Sequence, residues 1–193
     1  MKQLVLIRHG ETDFTSRELF CGTSNPSLNK QGRTQSIALG NLLRSHSIDL
    51  CLASPLDRAI QTAELLQLNL PIHSEPLSRE IGFGIFEGLS REICQNRFPS
   101  EWQAWCEGSI PPEGESVQSF HTRLTQLAEN LSHEKSDTVL LVTHGGVIRL
   151  LLSHYLTGSF ENQWRFKITP GSLCRIGFDG SFAYLESLQE VLI

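Results

Sequence analysis

Three short segments carry side chains suited to handling a dianion: Arg8-His9-Gly10-Glu11-Thr12, Ser54-Pro55-Leu56-Asp57-Arg58 and His144-Gly145-Gly146. Guanidinium groups match phosphate oxygens two at a time and stay charged. Arg8 and Arg58 are therefore candidate phosphate clamps. A neutral imidazole can attack phosphorus when its other ring nitrogen is fixed by a hydrogen bond, and that role falls to His9. His144 is the group expected to neutralise charge on the phosphoryl oxygens during transfer. Gly10 is expected to let the backbone approach the ligand closely, and the Gly145 N–H to reach an oxygen. The leaving oxygen needs a proton donor, which can later activate water. Glu80 and Glu87, in Arg79-Glu80-Ile81-Gly82-Phe83-Gly84-Ile85-Phe86-Glu87-Gly88, are both candidates, and the residues alone leave that choice open.

These segments need a scaffold that brings them together. Gln3 to Ile7 reads as a short buried strand, and Ile48 to Leu52 and Leu70 to His73 as two more. Pro71 argues for an edge position of the third. Thr138 to Val142 is the clearest strand. Ala38, Leu39, Leu42 and Leu43 recur at helical spacing and predict a helix over about 30–44. Ser54-Pro55 reads as an N-cap followed by proline in the first turn. Leu56, Ala59, Ile60, Ala63 and Leu66 form that helix's apolar face. Val117, Phe120, Leu124, Leu127, Ala128 and Leu131 mark a strong amphipathic helix, and Gly146 to Leu156 reads as a buried one. Asp179-Gly180 signals a two-residue hairpin between two final strands.

Alternating strands and helices predict an α/β fold, a three-layer α/β/α sandwich with a mainly parallel central sheet. Ligands of such sheets bind beyond the carboxyl ends of the strands. All three polar segments fall at those ends.

The composition narrows the class of ligand. The 193 residues suit one domain, 1–193, with a less regular, lid-like excursion at about 88–115 that contains Trp102 and Trp105. Net charge is −5 and no Lys/Arg block occurs, so neither nucleic acid nor a membrane surface is an expected partner. The five cysteines are odd in number and form no Cys-x-x-Cys pair, which predicts free thiols in a reducing cytoplasm. No secretory signal pattern is seen at the start. His73 and His154 have no metal-ligand spacing to a partner, and no cofactor is expected. His46, His121 and His133 read as solvated helix positions.

Each feature alone has a plain structural explanation. Ser-Pro-x-x-Arg is ordinary helix capping, and Glu80 and Glu87 alone read as solvated loop charges. Taken together, in order and spacing, the segments resemble the histidine phosphatase superfamily, also called the phosphoglycerate mutase-like family. The resemblance rests on Leu6-Ile7-Arg8-His9-Gly10-Glu11-Thr12, Leu28…Gly32, Ser54-Pro55-Leu56-Asp57-Arg58-Ala59, Glu80…Gly88 and Val142-Thr143-His144-Gly145-Gly146. It spans nearly the whole chain.

The resemblance implies a phosphohistidine mechanism without metal on a small phosphorylated metabolite. It assigns the nucleophile to His9 and the acid to Glu80, and makes Glu87 a supporting residue. Many members carry Asn shortly after the first motif, against the phosphoryl group. Thr15 stands at that position here and can still donate a hydrogen bond. Cys21-Gly22 to Leu28, Trp105-Cys106, Glu113-Gly114-Glu115 and Trp164-Arg165-Phe166 are similar to the α-ribazole-5′-phosphate phosphatases of cobalamin synthesis. Cys21, Gly22 and Thr23 are accordingly expected at the substrate's non-phosphate half. A phosphoglycerate mutase-type phosphotransferase and a broad-specificity or sugar-phosphate phosphatase are the alternatives. Self-association as a homodimer stays open.

Overall fold

The computed structural model describes residues 1–191, so the last two positions of the expected 1–193 domain lie outside the described residues. In chain order the first elements are β1 (Gln3–Arg8), α1 (Asp13–Ser16), α2 (Lys30–Leu43), β2 (Leu50–Ala53), α3 (Asp57–Leu65) and β3 (Ile72–Ser74). Next come α4 (Arg91–Arg97), α5 (Pro99–Cys106) and α6 (Val117–Ser132). The chain then forms β4 (Thr138–Thr143), α7 (Gly145–Thr157), β5 (Ser172–Asp179) and β6 (Phe182–Glu190).

The strands form one six-stranded sheet in the order β3-β2-β4-β1-β5-β6. The first four run parallel, and β5 and β6 are antiparallel to their neighbours. Strand alternation divides the core into two faces. Leu4 and Leu6 of β1, Val139 and Leu141 of β4, and Cys174 and Ile176 of β5 pack with α6 and α7. Val5, Ile7, Leu140, Val142 and Leu173 face the opposite way, with Leu39 and Leu43 of α2 and Ala59 and Ala63 of α3. Both faces are covered, which explains why β1 and β4 read as unbroken apolar runs. The result is the expected three-layer sandwich.

The sheet order places the chemistry. β4 lies between β1 and β2, and Arg8 is level with Thr143 while Ala53 is level with Val142. The residues that follow these strands, His9, His144 and Ser54, therefore emerge side by side at one sheet edge.

Several local expectations change. Helix α3 starts at Asp57 behind Leu56, which makes no side-chain cap, so Ser54 is not its N-cap. Leu42 turns outward, whereas Leu39 and Leu43 are buried. The hairpin turn is Gly180-Ser181, because Asp179 pairs with Phe182 and Gly180 takes φ +59°. The excursion at 88–115 is more regular than expected and holds α4 and α5. A side chain at Gly10 would collide with the Gly32 carbonyl, so the glycine lets the first loop lie against α2.

Gly40 gives a test of the packing away from the site. A methyl group there would stand 2.5 Å from the Leu66 carbonyl oxygen at the end of α3. Alanine gains about 1 kcal/mol in helix propensity, but an overpacked contact costs about 1–3 kcal/mol. A backbone oxygen at a helix end has little room to retreat, so the clash should win. Gly40→Ala should lose about 1–2 kcal/mol in urea unfolding, within the range expected of overpacking. A neutral or stabilised variant would contradict the close α2–α3 contact.

Candidate active site

His9 is 2% exposed and its ring is fixed at both nitrogens. Nδ1 lies 2.7 Å from the Gly10 carbonyl oxygen. A carbonyl only accepts, so Nδ1 carries the proton and Nε2 keeps its lone pair. Arg58 Nε–H donates to that lone pair at 3.2 Å. Burial first, then the charges of Arg58 and Arg8, hold His9 well below the usual histidine range. The imidazole is thus neutral, with one defined nucleophilic nitrogen.

Arg58 is wholly buried in the first turn of α3. Its Nη1 donates to Ser24 O at 2.7 Å, and its Nη2 to Gly22 O at 2.8 Å and Cys21 O at 3.3 Å. Glu87 prepares those carbonyls. Its carboxylate accepts from the N–H groups of Gly22 (3.1 Å), Thr23 (2.8 Å) and Ser24 (3.2 Å), and from Phe83 N–H at 3.0 Å. Drawing the amides of 22–24 to Glu87 turns the carbonyls toward Arg58. Burial pushes the Glu87 carboxyl upward, but the hydrogen bonds from Ser24, Phe83, Thr23 and Gly22 outweigh it and hold the group below its ordinary value.

Arg8, at the end of β1, donates Nη1 to Ile168 O at 2.7 Å. Burial is the main force pulling it down, to about 10; Glu80 opposes the fall and Arg149 and Arg58 add to it. It remains charged at neutral pH. Among the described residues the ion pairs are Lys2–Asp137 and Arg123–Glu115, so neither Arg8 nor Arg58 is held by a carboxylate. His144 meets His9 edge to face, with ring centroids 5.2 Å apart. Its Nε2 lies 2.7 Å from Ser54 Oγ, which is where Ser54 is used instead of as a cap. Burial and Arg58 keep His144 well below the usual range too. Arg8 Nε and His144 Nδ1 are buried with no partner. Buried orphans of this kind are rare and ask for a ligand.

The two glutamates separate cleanly. Glu80 lines a cavity of about 620 Å³ together with Arg8 and Gly146. Its Oε2 accepts from Gly146 N–H at the start of α7, at 2.9 Å, and its Oε1 from Ile81 N–H at 3.1 Å. Glu87 is spent on the 22–24 loop. Gly145, buried at the first position of α7, has no intrahelical acceptor for its N–H, and the guanidinium groups of Arg8 and Arg149 occupy the space beside its Cα.

The other candidates divide. Thr15 lines the cavity, but its hydroxyl accepts from Thr12 N–H at 2.9 Å and donates to Thr12 O at 3.1 Å, closing a capping box. Its hydroxyl is thereby engaged with the start of α1. Cys21 lines the cavity, whereas Gly22 serves Arg58 and Thr23 lines a separate pocket of about 230 Å³. His121 is not a solvated position. Its ring lies tilted against Phe160 with centroids 4.7 Å apart, lines the cavity, and has a buried Nε2 without a partner.

Sequence reasoning also missed Arg149 and the cavity's aromatic wall. Arg149 lies over Trp164 at 5.1 Å, and Phe20, Phe83 and Trp105 form a packed aromatic group along the same cavity. The spacing of Arg149, one helical turn after Gly145, could have revealed it; nothing in the sequence marks His121. Among the described residues no group of three His, Cys, Asp or Glu side chains could hold a metal ion. No helix there is long and apolar enough to cross a membrane.

The neutral buried histidines predict a pH effect. In the folded chain both resist protonation well below their ordinary value, whereas unfolded histidines take up protons below about pH 6.5. The unfolded state then binds more protons, so ligand-free stability should be full above about pH 6.5 and fall as pH drops below it. Thermal unfolding of wild type and a His9→Gln/His144→Gln variant from neutral to acidic pH checks this. The variant should lose part of the slope; an equal slope would contradict neutral burial.

The sequence and the fold match known proteins. The family model described as "Histidine phosphatase superfamily (branch 1)" matches residues 4–191. An adenosylcobalamin/alpha-ribazole phosphatase of Escherichia coli (strain K12) is 32% identical over 194 residues, covering 97% of this chain and 96% of the relative. An acid phosphatase of Mycobacterium tuberculosis is 31% identical, covering 96% and 91%. The crystal structure of the alpha-ribazole phosphatase from Shigella flexneri superposes with a TM-score of 0.91 at 33% identity, covering 96% and 95%. The chain belongs to the histidine phosphatase superfamily and is a phosphatase of that family.

Proposed function

We propose that the chain hydrolyses a small phosphomonoester through a phosphohistidine on His9, with α-ribazole-5′-phosphate as the substrate. The observation that carries the first part is the fixed tautomer of His9. Its Nδ1–H is bound to Gly10 O, and its Nε2 lone pair faces a buried, carboxylate-free arginine. As the phosphoryl group arrives, its oxygens replace His9 as acceptor for Arg58 Nε–H and meet the orphaned Arg8 Nε and His144 Nδ1. Nε2 then bonds to phosphorus while the ester P–O bond breaks. Glu80 gives its proton to the departing alkoxide. In the second half Glu80 takes a proton from water, whose oxygen displaces the histidine and releases phosphate.

The substrate assignment has two supports. Relatives covering nearly the full chain are named for α-ribazole phosphate hydrolysis. The cavity joins Arg8 and Glu80 to Phe20, Phe83, Trp105 and Trp164, a setting that suits a leaving alcohol bearing a planar base, as a nucleoside does.

A phosphate-release screen tests both parts. Without added metal the protein should hydrolyse p-nitrophenyl phosphate, and α-ribazole-5′-phosphate should give a higher kcat/KM than sugar phosphates or 3-phosphoglycerate. His9→Ala should abolish turnover, and Glu80→Gln should lower it about 10²–10⁴-fold. Phosphoglycerate interconversion faster than phosphate release would reverse the reading in favour of a mutase. A sugar phosphate as preferred substrate would remove the α-ribazole assignment alone.

A further inference from the structure

Glu80 projects from a stretch without regular secondary structure, between two short 3-10 turns at Pro76–Ser78 and Gly84–Phe86. A carboxyl group that must meet a leaving oxygen needs a defined place, and loop backbone does not supply one unaided. The fixing comes from α6. Arg123 uses all five of its donor hydrogens. Nε and Nη2 make a bidentate pair with Glu115, each at 2.8 Å. Nη1 donates to Leu77 O at 2.7 Å and Arg79 O at 2.6 Å, and Nη2 donates to Glu80 O at 3.0 Å.

Glu115 completes the frame: its N–H donates to Gly82 O at 2.9 Å. Thr143 Oγ1–H, at the end of β4, donates to Ser78 O at 2.6 Å. The backbone of Glu80 is thereby gripped on one side by α6, and its carboxylate on the other by the Gly146 amide of α7. Arg123 does not line the large cavity; it lines the smaller pocket that Glu80 also borders. Its guanidinium lies over the Phe120 ring at 4.5 Å, which limits its freedom.

We propose that Arg123, oriented by Glu115, is the positioning residue for Glu80: it sets proton delivery to the leaving group without touching substrate. The inference rests on Glu80 acting as the general acid proposed above. It differs from a merely structural role in its dependence on the leaving group. An alkoxide needs the proton far more than p-nitrophenolate does. Misplacing Glu80 should therefore harm alkyl esters selectively and leave the phosphate clamps intact.

The test compares kcat/KM for glycerol phosphate and p-nitrophenyl phosphate, plus inhibition by inorganic phosphate, in wild type, Arg123→Ala, Arg123→Lys and Glu115→Gln. Arg123→Ala should lose about 10–100-fold on glycerol phosphate, the scale of a small misplacement. It should lose several-fold less on p-nitrophenyl phosphate and keep phosphate inhibition within about two-fold. Arg123→Lys, which keeps charge but not the fork, and Glu115→Gln should fall in between. If the alanine variant does not fold, these two carry the test. Combining Arg123→Ala (or Arg123→Lys) with Glu80→Gln should be strongly non-additive.

Equal losses on both esters, weakened phosphate inhibition, or additivity with Glu80→Gln would overturn the inference. If Glu80→Gln itself shows no leaving-group dependence, the reading of Glu80 as acid has failed. If Glu80→Gln shows it and the Arg123 and Glu115 variants do not, only the positioning role has failed.

Discussion

A buried guanidinium with no carboxylate partner organises this site. Arg58 is sealed from solvent, and burying an uncompensated charge costs several kcal/mol. Three backbone carbonyls of the 21–24 loop meet that cost, since a hydrogen bond to a charged group contributes about 1.5–3 kcal/mol. The carbonyl cage keeps the positive charge in place but does not neutralise it. An approaching phosphate therefore meets an arginine that is fixed and still charged. A carboxylate partner would have offset the charge and weakened the attraction.

The other parts depend on that arrangement. Glu87 holds the loop that holds Arg58, and Arg58 in turn holds His9 Nε2. The positive surroundings and burial keep both histidines neutral, which is the form a nucleophile needs. Glu80 rests on separate supports, Gly146 and Arg123, so the proposed proton donor is anchored independently of the proposed phosphate clamps. Two independent frames, one for the proposed phosphate clamps and one for the proposed acid, meet at the carboxyl edge of the sheet.

Much of this was legible in the sequence because it follows from strand periodicity. The apolar runs of β1 and β4 fix where strands end, and parallel pairing carries Arg8, His9 and His144 to one edge. Arg58 was legible because it opens the helix after β2. Other parts depend on contacts between distant residues. Glu80 and Glu87 are seven positions apart with similar neighbours; the residues alone leave the choice open, the family resemblance favours Glu80, and the path of the 22–24 loop shows what engages Glu87. Ser54 looked like a cap because Ser-Pro is a capping pattern; its hydroxyl is instead drawn to His144, 90 positions away. Thr15 looked like a phosphate donor; that its hydroxyl also closes its own helix start depends on the loop's path. Gly10 is a glycine for Gly32's sake. His121 gave no signal, because its place on the cavity wall depends on how α6 meets the turn around Phe160.

The central claim is that the phosphoryl group passes through His9 Nε2. Rapid acid-free quenching of the protein with phosphorus-labelled p-nitrophenyl phosphate, followed by peptide mapping, tests it directly. The account predicts label on the peptide that contains His9, stable in base, lost in acid, and absent from His9→Ala. Turnover in wild type with no base-stable label at any time, or label persisting in His9→Ala, would contradict it.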